Sequence, residues 1–370
     1  MKSNYRYIVK AFMAMAVIAG TTSCDDFLDR EPMSSISPET YYSTAAQLEA
    51  NLNDEYPNVL PSFGQWTYGI FGEDKGTDNQ IEVNANDRYT QDRWKVPHSE
   101  SDNWKFERIY RINFFLSEAL PKFGEDMSGS QNTISGSVAT IKHYIGEMYF
   151  LRAYEYFKKL QLFGDFPIIN QPLADEMEAL REASKRFPRN EVARFIISDL
   201  DKAYAYMSDV DMATTRINKD VAMLVKSRVA LFEATWLQNF KGTAFVPGGE
   251  GWPGASLHNN YQYPSGNIDN EVKYFLEQAV EASKLVADKY KGSLTENTGV
   301  LQQSADDPSN PYFDMFAQED LSDVKEVLLW RQYARGLSTH NINAAAGRGN
   351  YRIGLTRGFV QNFLMKDGTP

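Results

Sequence analysis

Residues 141–160 read IKHYIGEMYFLRAYEYFKKL. Apolar side chains recur at Ile141, Ile145, Met148, Leu151, Tyr154, Phe157 and Leu160, three or four positions apart. That period belongs to one face of an α-helix, and it extends over 137–162. Gly164-Asp165-Phe166-Pro167 then stops the helix. The same period recurs on both sides. Upstream, Trp104 to Leu120 places Ile109, Ile112, Phe115, Leu116 and Ala119 on one stripe, closed by Pro121 and Gly124. Further upstream, Leu48, Leu52 and Tyr56 are spaced by four, after a Ser37-Pro38-Glu39 start signal. Downstream, Asn190 reads as the cap of a helix with Ile196, Leu200 and Ala203 inward. Asn218 caps another, covering Val221, Leu224, Val225, Arg228, Leu231 and Phe232. A further helix spans 269–290, with Val272, Phe275, Ala279, Ala282 and Val286 inward.

The pattern predicts a mainly α fold of paired antiparallel helices. Each pair buries one face against the next, giving a tetratricopeptide-like helical-repeat scaffold. The spacing is irregular and the full repeat signature is absent, so a plain helical bundle is the alternative. Two stretches break the helical period. Residues 57–103 are punctuated by Gly, Pro, Asn and Asp and hold Trp66, Tyr68, Phe71, Tyr89 and Trp94. They read as a long irregular insertion with room for a short strand or two. Residues 241–268 form a second loop rich in Gly, Pro, Asn and Tyr.

The amino terminus carries its own signal. Lys2, Arg6 and Lys10 precede an apolar run over 11–20, and Thr21-Thr22-Ser23-Cys24 follows. A basic start and a short apolar core describe a secretion signal over 1–23, too short to span a bilayer. Cys24 is the only cysteine in 370 residues, so no disulfide forms within the chain. A lone cysteine at this place resembles a bacterial lipobox, whose thiol takes diacylglycerol; Thr21 stands where Leu is usual. The alternative is an ordinary signal with an incidental buried cysteine. Residues 24–37 read as an extended tether, and 38–370 as the helical domain.

Residues 1–23 hold three basic residues and no acid, so the remainder carries 35 basic and 49 acidic residues, net −14. Such a surface repels phosphate backbones, and nucleic acid is not expected as a partner. No second apolar stretch reaches spanning length, so the mature chain is expected outside the bilayer. The chain holds 21 Tyr and six Trp. These are core residues first, but exposed ones make flat platforms for sugar faces and protein partners.

Several blocks together resemble the SusD/RagB-like lipoproteins. They are Cys24-Asp25-Asp26-Phe27-Leu28-Asp29-Arg30-Glu31-Pro32, Trp104 to Leu116, Gly146 to Phe157 continuing to Leu162-Phe163-Gly164-Asp165-Phe166-Pro167, Arg189 to Leu200, and Arg216-Ile217-Asn218-Lys219 to Leu231. Their order and spacing carry the resemblance. It implies a surface glycan-binding lipoprotein of Bacteroidetes, sitting as a lid over a TonB-dependent SusC-like transporter of the outer membrane and passing it oligosaccharides. It also implies a helical scaffold facing the transporter, loops that build the sugar site, no catalysis and no cofactor. Family chains continue well beyond the block that Asp367-Gly368-Thr369-Pro370 resembles. The expectation is therefore a fragment, or a protein lacking the family's carboxy-terminal part.

Sugar recognition needs aromatic faces for C–H patches and planar amides, carboxylates or guanidinium groups for hydroxyls. Trp66, Tyr68, Asp78, Asn79, Asn86, Tyr89, Arg93 and Trp94 offer these in the first loop. By the resemblance, Thr77-Asp78-Asn79 falls at an acidic loop beside the ligand, and Trp94 in the segment that supplies a platform. The second loop adds Trp252, His258, Tyr261 and Tyr263. For each, the competing reading is an aromatic that anchors its loop to the helices. Tyr41, Tyr149, Tyr154 and Tyr156 sit on helical stretches and read as core.

Catalytic signals are poor. His98, His143, His258 and His340 lack ligand spacing, and His143 reads as structural. Asp25-Asp26, Glu73-Asp74 and Asp306-Asp307 are sequence neighbours that read as solvated turns. Asp74 to Asp87 is acidic but lacks the alternating pattern of a calcium loop, so no metal is expected. Gly347-Arg348-Gly349 precedes no Lys-Ser/Thr pair and is no phosphate loop. The competing functions are a helical-repeat adaptor for a protein or peptide, and a helical glycoside hydrolase with two carboxylates across a cleft.

Overall fold

The structure is a computed structural model that describes residues 41–64, 73–82, 103–124, 126–208, 212–301, 304, 306–334, 336–337, 339–340, 353–365 and 367–369. Cys24, the signal and tether, Ser37, Pro38, Trp66, Tyr68, Tyr89, Arg93, Trp94, His98 and Gly347-Arg348-Gly349 lie outside them.

The helices are α1 (Ala45–Val59), α2 (Glu107–Phe123), α3 (Val138–Phe163), α4 (Met177–Ala183), α5 (Arg189–Tyr206), α6 (Lys219–Asn239), α7 (Ile268–Tyr290), α8 (Pro311–Met315) and α9 (Arg357–Gln361). Two three-residue strands, β1 (Gln80–Glu82) and β2 (Ile353–Leu355), pair antiparallel with Ile81 opposite Gly354.

Helix α3 is the axis of the core. Between Ile141 and Leu160 every residue except Lys142, Tyr154 and Lys158 is buried. A helix enclosed on all sides must satisfy its polar groups internally. Arg152 donates through Nε and Nη2 to the two Asp199 carboxylate oxygens at 2.6 and 2.8 Å, and through Nη1 to Asn113 Oδ1 at 2.9 Å. Glu147 accepts from Arg216 at 2.9 and 2.7 Å and from the Tyr56 hydroxyl at 2.8 Å. His143 Nε2 lies 3.0 Å from the Ile217 carbonyl and 3.1 Å from Glu147 Oε1, a structural role.

These contacts also give the helix directions. Arg108 meets Glu155 and Asn113 meets Arg152, so α2 and α3 run antiparallel. Arg152 meets Asp199 and Tyr156 meets Phe195, so α3 and α5 do too. Arg189 meets Glu233 while Asp201 meets Lys226, which makes α5 and α6 antiparallel. Lys241, just past α6, meets Asp269, and Lys289 meets Asp220, so α6 and α7 close the series. The result is a stack of antiparallel helices, as the spacing predicts.

Local rules place the ends. Thr44 forms a capping box with Gln47, and Ser137 and Asn218 accept from the third residue of their helices. Gly164 ends α3 at φ 69°, where a side chain would be strained. Other expectations shift. Asn190 does not cap α5: Pro188 holds that place, and the Asn190 amide instead reaches Tyr261 and Glu271. Helix α1 runs through Pro57 to the buried Val59, and α2 runs through Pro121 to Phe123. A proline near the last turn costs one donor and little else once a buried residue beyond it rewards continuation. Helix α2 starts late because Trp104 and Phe106 are spent on an aromatic cluster with Phe163 and Phe166. On α6 the buried face carries Val221, Val229, Ala230 and Ala234, leaving Leu224 and Leu231 exposed.

Candidate functional site

The described parts of 57–103 show how its ends and middle are held. At the exit, Tyr333 donates to the Phe63 carbonyl at 3.2 Å, and Arg331 contacts the Ser62 hydroxyl. In the middle, residues 73–82 form a tight turn leading into β1. Asn79 Nδ2 lies 3.4 Å from Asp74 Oδ2, and the Asn79 amide N–H donates to the Thr77 hydroxyl at 3.1 Å. Thr356, which follows β2, donates its N–H to the Asn79 carbonyl at 2.9 Å and its hydroxyl to the Asp78 carbonyl. Asp78 is exposed and Asn79 half-buried, so backbone holds this turn while the Asp78 carboxylate faces solvent. At the return, Trp104 packs edge-on against Phe163 and Phe166 at 4.9 Å, with the Arg186 guanidinium 4.5 Å above its ring.

The loop 241–268 is gathered differently. It contains a 3₁₀ turn, Pro253–Ser256, and lies over the starts of α5 and α7. Trp252 is 5 % exposed. Its Nε1 donates to Asp165 Oδ2 at 2.7 Å, and its ring meets His258 and Tyr261 at 5.9 and 5.6 Å. Asp165 Oδ1 in turn accepts from the Arg189 N–H at 2.9 Å, at the start of α5. Burial pushes the Asp165 carboxyl up; the Trp252 and Arg189 donors oppose this only in part. The Tyr261 hydroxyl donates to Asn190 Oδ1 at 3.1 Å, and Tyr263 donates to the Pro247 carbonyl at 2.6 Å. Burial raises both phenols, so they are neutral hydrogen-bonding groups around pH 7.

Under this loop sit two carboxylates that the sequence reading passed over. Glu233 forms a bidentate pair with Arg189, whose guanidinium stacks 4.1 Å from the Trp236 ring. Burial raises the Glu233 carboxyl, and Arg189 offsets part of that. Glu271 accepts from Arg194 at 2.7 and 2.9 Å, from Asn190 at 3.0 Å and from the Ser265 N–H at 3.1 Å. Burial raises its carboxyl, but those donors outweigh burial and hold it below the usual carboxylate range. A signal for Glu233 existed: it falls four residues after Val229 and four before Leu237, on the apolar face. A charge there must find a buried partner.

The structure thus brings Trp252, Tyr261 and Tyr263 together in one cluster and Asp78 and Asn79 together in another turn. No hydrogen bond or ring contact among the described residues joins the two groups. Among those residues no group of three His, Cys, Asp or Glu is placed to hold a metal ion, and no helix is long and apolar enough to cross a membrane.

Residues 26–231 match the SusD-like family model described as starch-binding, associating with the outer membrane. SusD-like protein P2 of Formosa agariphila is 25% identical over 253 residues, covering 65% of this chain and 46% of its own. SusD-like protein P25 of the same organism is 25% identical over 233 residues, covering 58% of this chain and 41% of its own. A crystal structure of a SusD-like carbohydrate-binding protein from Bacteroides fragilis, 14% identical, superposes with a TM-score of 0.55 over 90% of this chain and 55% of its own. The likeness to that structure is one of fold. The chain spans less than half the length of these two curated relatives.

Proposed function

The chain belongs to the SusD-like family, and from that premise we propose that it is a cell-surface glycan-binding lipoprotein that delivers oligosaccharides to a TonB-dependent, SusC-like transporter. The family match over residues 26–231 carries the reading. Cys24 supplies the lipid anchor on the outer membrane, and residues 24–37 span from lipid to scaffold. Binding is the whole task, with no bond made or broken by the protein.

The sugar contacts fall to the first loop rather than the second. Trp252 has its ring packed and its Nε1 bonded to Asp165, so a sugar could stack on it only by displacing protein groups. Tyr261 and Tyr263 likewise spend their hydroxyls on Asn190 and on a backbone carbonyl. Trp66, Tyr68 and Tyr89 offer aromatic faces in the first loop, and by the family resemblance Trp94 falls in the segment that supplies a platform. Arg93, Asn79 and the solvent-facing Asp78 supply groups for hydroxyls. A ring stacked on a C–H face excludes water, and the polar groups fix which hydroxyls fit.

The test is affinity electrophoresis and calorimetry of the protein with soluble starch and a panel of other polysaccharides. Retardation by at least one glycan is expected, with no reducing ends released. Failure across the panel would overturn the reading in favour of a helical adaptor for a protein ligand.

A further inference from the structure

Glu155, Lys158 and Lys159 form a charged group on helix α3, apart from both loop clusters. Glu155 is buried, and its Oε2 accepts no hydrogen bond. Three cations surround it: Lys159 Nζ at 3.4 Å, Lys158 Nζ at 3.5 Å and Arg108 Nη1 at 3.8 Å. The two lysines follow Glu155 by three and four residues on α3, so one carboxylate lies within reach of both. Each lysine then donates to a backbone carbonyl. Lys158 contacts the Val59 carbonyl, the last residue of α1, where a helix leaves its carbonyls without intrahelical partners. Lys159, itself buried, donates to the Asn103 carbonyl at 2.8 Å. Val59 is where the chain leaves the scaffold for the long insertion, and Asn103 is where it returns.

We propose that Glu155 with Lys158 and Lys159 is a positioning clamp that fixes, from helix α3, the separation of the two ends of the 60–102 segment. For the role of that segment in glycan binding, the proposal rests on the function proposed above. The physical reason is that charge-assisted donors on adjacent residues of a rigid helix hold two carbonyls at a set spacing. Without a shared counter-charge the two ammonium groups and Arg108 repel one another and leave the carbonyls. Holding both ends at a set spacing removes conformational freedom that free ends would keep.

The test is trypsin cleavage of the full chain at Lys75, Arg88, Arg93 and Lys95, all inside the segment. In Glu155→Gln and Lys159→Met, cleavage there should be roughly fivefold or more faster than in wild type, while cleavage after Lys284 and Lys289 on α7 keeps its rate. Lys158→Arg should behave as wild type. If Glu155→Gln does not fold, Lys158→Met, at a half-exposed position, takes its place. Unchanged cleavage in the segment, or an equal rise on α7, would overturn the clamp. Starch affinity of the same variants should fall roughly tenfold, because the ends of the segment are then no longer held at a set spacing. A wild type that binds no glycan counts against the proposed function, while the cleavage rates still decide the clamp.

Discussion

Arg152 shows what a charge at the centre of this core commits its neighbours to. It is buried beside Asp199, also buried, and their pairing is bidentate. Burial lowers the tendency of Arg152 to stay charged, and the Asp199 bonds overcome that, so the guanidinium is held even more firmly than usual. Arg152→Ala leaves buried Asp199 with only the partly exposed Lys202 ammonium at 3.9 Å, and chemical denaturation should report a loss of about 3–5 kcal/mol. Asp199→Asn in the Arg152→Ala background should recover part of it, because the orphaned charge is then gone. Glu271 gives a pH test. Its folded carboxyl titrates below the usual value of 4.5, so its contribution is complete above pH 4.5 and decays as pH falls through the lower folded value. Stability of the wild type should therefore fall more steeply than that of Glu271→Gln as pH drops below 4.5. Parallel curves in urea titrations would refute the assignment. Asp165 and Glu233 act in the opposite sense. Their raised values mean that the unfolded chain loses its protons first, and each costs stability as pH rises through the carboxylate range.

Elements were legible in this sequence wherever one face was apolar. The stripes on α2, α3 and α7 are buried nearly as spaced, because a period of 3.6 leaves little choice of face. On α6 the apolar residues occupy more than one face, and periodicity cannot choose between Val229 and Leu231; packing against α5 and α7 does. The strand pair was foreseen only as room for a strand or two, since β1 and β2 lie more than 270 residues apart and each has three residues. The second loop was half legible. Its aromatics were visible, but Asp165, Asn190, Glu233 and Glu271, which hold it, come from three helices and a helix end far apart in sequence. One glycine states the packing most plainly. A Cβ at Gly146 would lie 2.8 Å from Met207 N and Cγ and 2.9 Å from the Ala203 carbonyl oxygen. Helix propensity alone predicts that Gly146→Ala gains about 1 kcal/mol. Here α3 and α5 must move apart, and we expect a net loss of about 1–2 kcal/mol on thermal unfolding. An increase in Tm would show that the two helices can separate freely.

For the whole molecule, the question is where a strongly acidic, helical chain resides. Residues 24–370 carry a net charge of −14 with no second apolar stretch of spanning length. A net negative charge of this size gives no attraction to anionic lipid. The proposed anchor is Cys24, and each buried CH₂ of an attached acyl chain adds about 0.8 kcal/mol of membrane affinity. One acyl chain binds reversibly and several hold stably, so removing the thiol that takes the diacylglycerol should convert a membrane protein to a free one. Cys24 lies well before the start of α1 in sequence, and its replacement should leave folding unchanged. In cells fed labelled palmitate, Cys24→Ser should lose the label and shift from the membrane pellet to the soluble fraction. Its circular dichroism should match that of wild type. Retained label, or a pellet that keeps the unlabelled variant, would mean that something other than this thiol holds the chain at the membrane.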